Sequence, residues 1–384
     1  MFTEVQIENY KSIQSLKINL GRVNVFIGEN GCGKTNILEA IALAGAAAGN
    51  KLDNEFLFSR GIRVTEPEFM RSAFDKENIT KEIKISLRIT NNPLLTFVIQ
   101  HKNQPYSKWI SNTLAYDGRI RDNPFFDNKF FQNLKNQLQG GNLDDESIFK
   151  LQIYLNQSPN PLNNDGIDDK FMIYMPENSS LRTFEEEGQI QPLGIKGQGL
   201  LKLLGALNSS PDKINEIKKK LELIDWFDDL KIHQDFDIER TIQIRDRYLD
   251  KELPYFNQRS SNEGFLFLIF YFALFISDDT PKFFAIDNIE NALNPKLCTR
   301  LIQELVELAK KYDKQVILTT HNPAILDGLD LNDDEQRLFA IYRNMDGHTQ
   351  AKRVAPLEPL DDGEIVPLSE AFINGYIGGL PKNF

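Results

Sequence analysis

The chain has 384 residues, of which 41% are hydrophobic and 26% charged, with a formal net charge of -11. This composition supports a folded core, and the acidic balance argues against a broad nucleic-acid-binding surface while leaving room for a local basic groove. Two cysteines, Cys32 and Cys298, form no disulfide framework, so we expect a cytoplasmic protein. The longest apolar run, residues 265–276, is too short to span a bilayer, and we expect no membrane partner.

The N-terminal part of the chain predicts three strands and a helix. Apolar and polar residues alternate over residues 2–20, on both sides of a turn at 9–12. The mainly apolar run 23–27 predicts a buried strand, and the apolar spacing over 37–42 predicts a helix soon after it. The stretch between that strand and that helix therefore has the context of a phosphate-binding loop.

That loop fits the pattern of glycine, four residues, then Gly-Lys-Thr. Its residues are Gly28, Glu29, Asn30, Gly31, Cys32, Gly33, Lys34 and Thr35, and we place the following Asn36 in the same site. The glycines allow positive φ and close approach, so that backbone N–H groups and the helix N-terminus point at phosphate oxygens. We predict that Lys34 contacts the β- and γ-phosphates of ATP and that the Thr35 hydroxyl binds Mg²⁺. The alternative is a glycine-rich turn without a ligand.

The middle of the chain predicts a hairpin and an inserted lobe. Strict alternation over 83–89, a turn and a second apolar run at 94–99 indicate two antiparallel strands. Residues 101–170 are poor in periodicity, and their pairs Phe125-Phe126 and Phe130-Phe131 indicate either ordinary core or exposed partner-binding aromatics. A helix is predicted to begin at Pro211, and its run Lys218-Lys219-Lys220 is either a solvated face or a nucleic-acid contact.

Two later predicted strands each end at a residue that can bind part of a magnesium–nucleotide complex. The apolar run 282–286 ends at Asp287, and the run 315–320 ends at His321, with a predicted helix between them. The carboxyl ends of parallel strands form the ligand-binding edge of an α/β sheet, so Asp287 is expected beside the phosphate loop as a second group for Mg²⁺. His321 is expected to donate a hydrogen bond to the γ-phosphate. The alternatives are a chance aspartate at a strand end and a core histidine.

The segments Ile7–Ile13, Val23–Ala40 and Thr319–Leu326 resemble the ATP-binding heads of the ABC superfamily, specifically those of the RecF, SMC and OLD-like ATPases. The resemblance covers most of the chain. It implies an α/β fold of the ABC-type P-loop ATPases, with a mainly parallel core sheet, an antiparallel β lobe and an inserted lobe of helices and loops. On this basis we expect the ATPase domain at residues 1–350, its inserted lobe at about 101–240 and a C-terminal tail at 351–384.

The resemblance also implies a dimer that sandwiches two ATP molecules. In such heads each phosphate loop faces the signature segment of the partner subunit, whose glycine and serine contact the γ-phosphate. The matching segment here is Ser260–Phe265, with Gly264 at the glycine position and Asn262 at the usual serine position. We therefore expect Gly264 to contact nucleotide in a homodimer or higher oligomer.

One departure from the family pattern concerns the residue after Asp287. The family usually has a glutamate there that activates the attacking water, whereas this chain has Asn288. Glu290 resembles the second acid of OLD-like heads. An amide can orient water but cannot take its proton, so slow hydrolysis is expected, with Asn288, Glu290 and His321 as the catalytic residues.

The resemblance further implies a separate effector. OLD-like proteins often carry a C-terminal nuclease domain, but the residues after His321 predict only a short helix and a glycine turn at 367–381. By likeness to the ATPase halves of bacterial two-gene phage-defence systems, we expect a nuclease or toxin in trans and a nucleic-acid or phage-protein trigger. The alternatives are a RecF-like DNA repair ATPase with a basic stripe, and a structural protein without nucleotide affinity.

Overall fold

The computed structural model describes residues 1–104, 106–116, 170–183, 193–232, 241–253, 255–358 and 366–380. The phenylalanine pairs at 125–126 and 130–131 lie outside these residues. The strands are β1 (Phe2–Tyr10), β2 (Ile13–Asn19), β3 (Val23–Ile27), β4 (Ile83–Ile89), β5 (Leu94–Gln100), β6 (Ile110–Tyr116), β7 (Ile173–Tyr174), β8 (Phe227–Ile232), β9 (Ile242–Asp246), β10 (Phe256–Asn257), β11 (Phe283–Ile286), β12 (Gln315–Thr320), β13 (Gln336–Arg343) and β14 (Thr349–Val354). The α-helices are α1 (Lys34–Ala48), α2 (Asn54–Ser59), α3 (Asn178–Arg182), α4 (Leu200–Asn208), α5 (Pro211–Leu221), α6 (Glu263–Ile276), α7 (Pro295–Lys311) and α8 (Leu368–Ile373), and short 3₁₀ helices span Lys76–Thr80, Gln258–Ser260 and Pro323–Gly328.

A six-stranded sheet in the order β14-β13-β3-β12-β11-β7 forms the centre of the fold. Strands β13, β3, β12, β11 and β7 are parallel, and β14 pairs with β13 in the antiparallel direction. All five residues of β3 are buried, as are all four of β11 and all six of β12. Strands in which every residue is buried are typical of a parallel sheet that is covered on both faces.

The two faces of this sheet belong to two separate hydrophobic cores. On β3, Val23, Val25 and Ile27 pack into one core, whereas Phe26 packs into the other. This division follows from the alternation of side chains along a strand. The first core contains α6 and α7, and the second contains α1 together with the antiparallel strands. The phosphate loop, between β3 and α1, is therefore held by both cores.

A second sheet of five strands, in the order β2-β1-β4-β5-β6, is antiparallel throughout. The end of β1 and the turn after it contain two non-glycine residues in the left-handed region, Asn9 (φ 58°) and Lys11 (φ 46°). The Asn9 amide donates to the carbonyl oxygens of Asn78, Lys81 and Glu82 at 3.0 to 3.2 Å. These contacts hold a strained turn in one conformation beside the phosphate loop.

Helix α6 is the most deeply buried element of the described structure. Every residue from Phe265 to Ile276 is buried. The helix packs against α3, α4, α5 and α7, which explains why its sequence is apolar on all sides. At its N-terminus the Asn262 side chain accepts a hydrogen bond from the Phe265 amide at 2.9 Å and caps the helix.

The predicted fold class is confirmed: the chain has a mixed α/β fold with a mainly parallel sheet and antiparallel sheets. The strands around the phosphate loop, the hairpin β4–β5, helix α6 and the strands before Asp287 and His321 are where the sequence predicts them. A third, small antiparallel sheet, β10-β9-β8, was not predicted. The described part of the expected insertion at 101–240 contributes β6 to the five-stranded sheet, and the expected boundary at 350 falls within β14. The domain limits stay a prediction.

A buried lysine links α6 to β12. Lys314 is fully buried, and its Nζ donates to the carbonyl oxygens of Ser277 at 2.7 Å and Thr280 at 3.0 Å. It also donates to the Thr280 hydroxyl at 2.8 Å. Burial lowers the pKa of Lys314 to about 7 from an ordinary value of 10.5.

This lowered pKa predicts a pH-dependent stability. Between pH 7 and 10.5 the unfolded chain holds one proton more than the folded chain, so the free energy of unfolding rises by about 1 kcal/mol per pH unit. As the pH falls from 10.5 toward 7, the same proton uptake by the unfolded chain lowers the free energy of unfolding. In urea unfolding between pH 7 and 9, we expect the stability of the wild type to rise with pH relative to that of Lys314→Met. Lys219→Met, at an exposed lysine of α5, is the control, and a difference between wild type and Lys314→Met that does not change with pH would contradict the prediction.

Candidate nucleotide-binding site

The phosphate loop has a backbone that only glycine adopts easily. Gly31 and Gly33 have φ of 76° and 108°, in the left-handed region that favours glycine. A Cβ on Gly33 would lie 2.0 Å from the Thr349 hydroxyl, so the loop also packs too closely there for a side chain. Thr349 is fully buried and donates to the Cys32 carbonyl oxygen at 2.8 Å. Thr349, at the start of β14, therefore holds the loop in place at Cys32.

Strand β13 and the residues after α8 also contact the loop. The Arg343 Nε, at the end of β13, donates to the Gly31 carbonyl oxygen at 2.8 Å. Gly28 is packed between two backbones. A Cβ on Gly28 would lie 2.1 Å from the Ile341 carbonyl oxygen, and a Cβ on Gly379 would lie 3.6 Å from the Gly28 Cα. The residues after α8 thus lie directly against the first glycine of the loop.

Lys34 extends back over the loop toward His321. Its Nζ donates to the Gly28 carbonyl oxygen at 2.8 Å and lies 3.4 Å from the His321 Nδ1. Burial lowers the pKa of Lys34, although nearby acidic groups oppose the shift. Desolvation and the Lys34 ammonium lower the pKa of His321, which favours a neutral imidazole at neutral pH. The structure brings these two predicted site residues together.

An oxygen-rich cluster lies at the edge between the loop and β11. The Thr35 hydroxyl donates to the Asp287 Oδ2 at 3.0 Å. The other Asp287 oxygen accepts a hydrogen bond from the Thr319 hydroxyl. A hydroxyl and a carboxylate side by side are hard oxygen donors of the kind that Mg²⁺ prefers, so these residues fit a magnesium ion shared with phosphate oxygens and water. Thr35 and Asp287 would hold it. Such an ion neutralises charge that develops on the phosphates.

The residues after Asp287 form a tight loop against β12. Asn288 has φ of 56°, in the left-handed region that asparagine tolerates better than most residues. Its backbone N–H donates to the Thr319 hydroxyl at 2.9 Å. The Glu290 Oε1 accepts from the His321 backbone N–H at 2.7 Å. The Glu290 Oε2 is buried and has no hydrogen-bond partner among the described residues, so one carboxylate oxygen stays available at the site.

Gly264, the predicted signature glycine, lies in the first turn of α6. A Cβ at this position would lie 2.9 Å from the Ala292 carbonyl oxygen, on the loop that follows Asp287. Within one chain, Gly264 thus packs against the end of the Asn288 loop. Its predicted contact with nucleotide concerns a second subunit and stays a prediction.

A polar network around α1 was not predicted from the sequence. Asn36 donates to the Ser12 hydroxyl at 2.6 Å and accepts from the Arg63 guanidinium at 2.8 Å. Glu39, which is fully buried, accepts from the Lys11 Nζ and from the Arg63 Nε, both at 2.6 Å. A buried carboxylate requires such partners. The signal that could have revealed it is a single charge within the apolar run 37–43.

The geometry and the fold together define a class of protein. The solved structure of an SMC head bound to the C-terminal winged-helix domain of ScpA has a TM-score of 0.56 to this chain. The two share 14% sequence identity, and the match covers 92% of this chain and 98% of the SMC head. With its phosphate loop and the carboxylate at the end of β11, the protein is an ATPase head of the ABC superfamily, of the RecF and SMC type.

The family is more specific than this class. Residues 23–327 match the family described as "AAA domain, putative AbiEii toxin, Type IV TA system". The chain belongs to this family. An uncharacterized protein of Methanocaldococcus jannaschii is 28% identical over an alignment of 220 residues that covers 48% of this chain and 66% of that protein. The DNA replication and repair protein RecF of Bacillus mycoides is 41% identical over 54 residues, 14% of each chain. The chain thus covers less than two thirds of either relative.

We predict that Asp287→Asn weakens magnesium-dependent ATP binding by at least about tenfold, the equivalent of roughly 1.4 kcal/mol. The variant keeps one acceptor oxygen, replaces the other with an NH2 donor, and removes the charge that attracts the metal ion. Calorimetric titration with ATP, with and without Mg²⁺, measures the effect. Asp279→Asn, at an exposed aspartate before β11, is the matched control. Unchanged magnesium dependence in Asp287→Asn would indicate that Asp287 is structural.

Proposed function

We propose that this protein is an ATP-binding, slowly hydrolysing switch that dimerises through sandwiched ATP and controls a separate effector. The observation that carries the proposal is the site at the edge between β3 and β11. There, Lys34 lies over the phosphate loop, Thr35 and Asp287 form a site for Mg²⁺, and the residue after the aspartate is Asn288. The site has the groups that bind a nucleoside triphosphate but lacks a general base at the usual position.

Slow turnover follows from the chemistry of the side chains at the Asn288 loop. An amide orients the attacking water without removing its proton. Glu290 is the carboxylate that can replace the missing base, because its Oε2 is buried and has no hydrogen-bond partner among the described residues. Its Oε1 is bound by the His321 backbone N–H. In this proposal Asn288 holds the water, Glu290 accepts the proton slowly, and His321 contacts the γ-phosphate.

The contact between Gly264 and Ala292 within one chain would link the two sites of the proposed dimer. If Gly264 binds the γ-phosphate held by a second subunit, the packing of Gly264 against the Ala292 carbonyl transmits that binding to the loop of Asn288 and Glu290. Occupation of one site then changes the position of the hydrolytic loop at the other. Such a linkage is what a two-state switch requires, because each ligand must favour one of two arrangements.

The family to which the chain belongs is described with the words "putative AbiEii toxin, Type IV TA system", which supports a role in a system of this kind. We propose that the ATP-bound dimer restrains a nuclease or toxin encoded separately and releases it when a phage protein or nucleic acid alters the dimer. An anti-phage role accounts for a persistent bound state better than a transport or motor role, which needs rapid cycling.

A RecF-like role on DNA is the rival function. The helix α5 was a candidate basic surface, but Lys218 pairs with Asp229 at 2.7 Å, and Lys220 is buried and pairs with Glu304 and Glu307. These ion pairs leave only Lys219 of the predicted run exposed without an acidic partner among the described residues. Nucleic-acid contact by this run is therefore disfavoured.

Light scattering with ATP or ADP, combined with single-turnover hydrolysis, tests the proposed function. We expect the mass to double with ATP and Mg²⁺, to stay doubled for as long as ATP remains unhydrolysed, and to return to the starting value with ADP. DNA binding is measured in the same samples at several salt concentrations. A mass that is the same with ATP and with ADP would contradict the proposed switch. Tight DNA binding with a steep salt dependence would favour the RecF-like role.

A further inference from the structure

The arrangement of the strands indicates where each end of a bound nucleotide lies. Asp287 and His321 follow β11 and β12, which lie on one side of β3 in the sheet. Thr35 and Asp287 would hold a magnesium ion on this side, and that ion would neutralise charge on the terminal phosphates, so the terminal phosphates belong on this side. Strands β13 and β14 lie on the opposite side of β3. The ribose and base must extend away from the terminal phosphates, toward the ends of β13 and β14.

An exposed aromatic ring lies at that end of the loop. The Arg343 Nε donates to the Gly31 carbonyl oxygen, and the Arg343 guanidinium lies 5.6 Å from the centre of the Phe74 ring. The Phe74 side chain is 49% exposed. Most phenylalanines of the described structure are buried. Phe58 and Phe69 are also exposed, but Phe74 is the exposed ring beside Arg343, which binds the phosphate loop.

The turn between β13 and β14 holds the Phe74 ring in place. His348 contacts it edge to face, with 5.4 Å between the ring centres and 79° between the planes. Gly347, which has φ of 82°, passes under the ring, where a Cβ would lie 3.3 Å from Phe74 Cε1. The ring is thus fixed along its edge and on one side, while part of its surface faces solvent. Fixing a ring before a ligand binds reduces the entropy lost on binding.

We propose that Phe74 and Arg343 form the platform on which the base of the bound nucleoside triphosphate stacks. This inference rests on the proposed function, because it requires that the loop bind a nucleotide. Flat aromatic and guanidinium groups stack on any nucleobase, since every base has a π face. The platform therefore supplies affinity for the base, while the loop and the metal ion supply affinity for the phosphates.

Comparison of ATP with inorganic tripolyphosphate separates these two contributions. Both probes are titrated with Mg²⁺ into the wild type, Phe74→Ala and the control Phe69→Ala, whose ring is 60% exposed on the same segment. We expect Phe74→Ala to bind ATP roughly 10-fold to 100-fold more weakly, the range found for loss of one base–aromatic stack. Its tripolyphosphate affinity and both affinities of Phe69→Ala should match the wild type.

The variant Phe74→Trp supplies a direct readout. A tryptophan keeps the stacking surface, so ATP affinity should be retained, and the added fluorescence should be quenched by ATP but not by tripolyphosphate. Wild-type ATP affinity in Phe74→Ala, equal losses for both probes, or no quenching in Phe74→Trp would overturn the platform while leaving the loop as the phosphate site. A wild type that binds neither probe would overturn the proposed function, and the platform with it.

Discussion

The variant Lys34→Ala is expected to lose ATP binding almost completely. The Nζ of Lys34 lies over the loop, 2.8 Å from the Gly28 carbonyl oxygen, and is partly desolvated. Removing one member of a buried charge pair costs about 2–5 kcal/mol. This corresponds to a loss in affinity from roughly 30-fold to several thousand-fold. Calorimetric titration with ATP and Mg²⁺ measures it directly.

The control for this variant separates binding from folding. Lys282→Ala removes a half-exposed lysine that follows α6 and should bind ATP as the wild type does. Thermal unfolding of Lys34→Ala without ligand should stay close to that of the wild type, because the substitution opens no apolar cavity. Near-native ATP affinity in a folded Lys34→Ala would mean that this loop is not the phosphate site.

The second large effect is expected at Asn288. General-base assistance is worth about 100-fold to 10,000-fold, so the wild type should turn over well below the roughly 1 to 1,000 per second usual for enzymes. Asn288→Glu introduces a carboxylate next to Asp287 and should raise the single-turnover rate substantially. Glu290→Gln should lower the residual rate of the wild type, because it removes the only carboxylate proposed to accept the proton.

The matched control for Asn288→Glu is Asn291→Glu, which adds the same charge at an exposed position of the same loop. Its rate should equal that of the wild type. The positive φ of Asn288 makes glutamate less favourable there, by about 1 kcal/mol, so the melting temperature of each variant is measured alongside. If the wild type hydrolyses ATP fast and Glu290→Gln does so equally fast, the proposal of a slow switch would be wrong.

Local sequence patterns predicted the elements that carry the site. The loop pattern, the buried runs before Asp287 and His321 and the apolar helix α6 each depend on residues close together in the chain. Periodicity and motif spacing describe such segments well. They also suffice to place Asp287 near Thr35, because the carboxyl ends of the parallel strands of one sheet lie at the same edge.

The supports of the loop could not be predicted in this way. Arg343 and Thr349 contact residues more than 300 positions earlier in the chain, and no local pattern marks either one. The ion pairs of the lysine run at 218–220 could not be predicted for the same reason. Its environment depends on Glu304 and Glu307 of α7, which the fold brings against α5. The strands of the small sheet were missed because β8 and β9 are short and carry several charged residues.

The contacts of Arg343 and Thr349 with the loop have a consequence for biosynthesis. The loop leaves the ribosome early, but the residues that hold Gly31 and Cys32 are 312 and 317 positions further along. Closing such distant contacts is slow compared with forming a helix. A nascent chain that ends before β13 and β14 should therefore not bind ATP, even though its whole phosphate loop has been made. Nucleotide binding then becomes a property of the nearly complete fold, and a partly synthesised head cannot engage a partner through ATP.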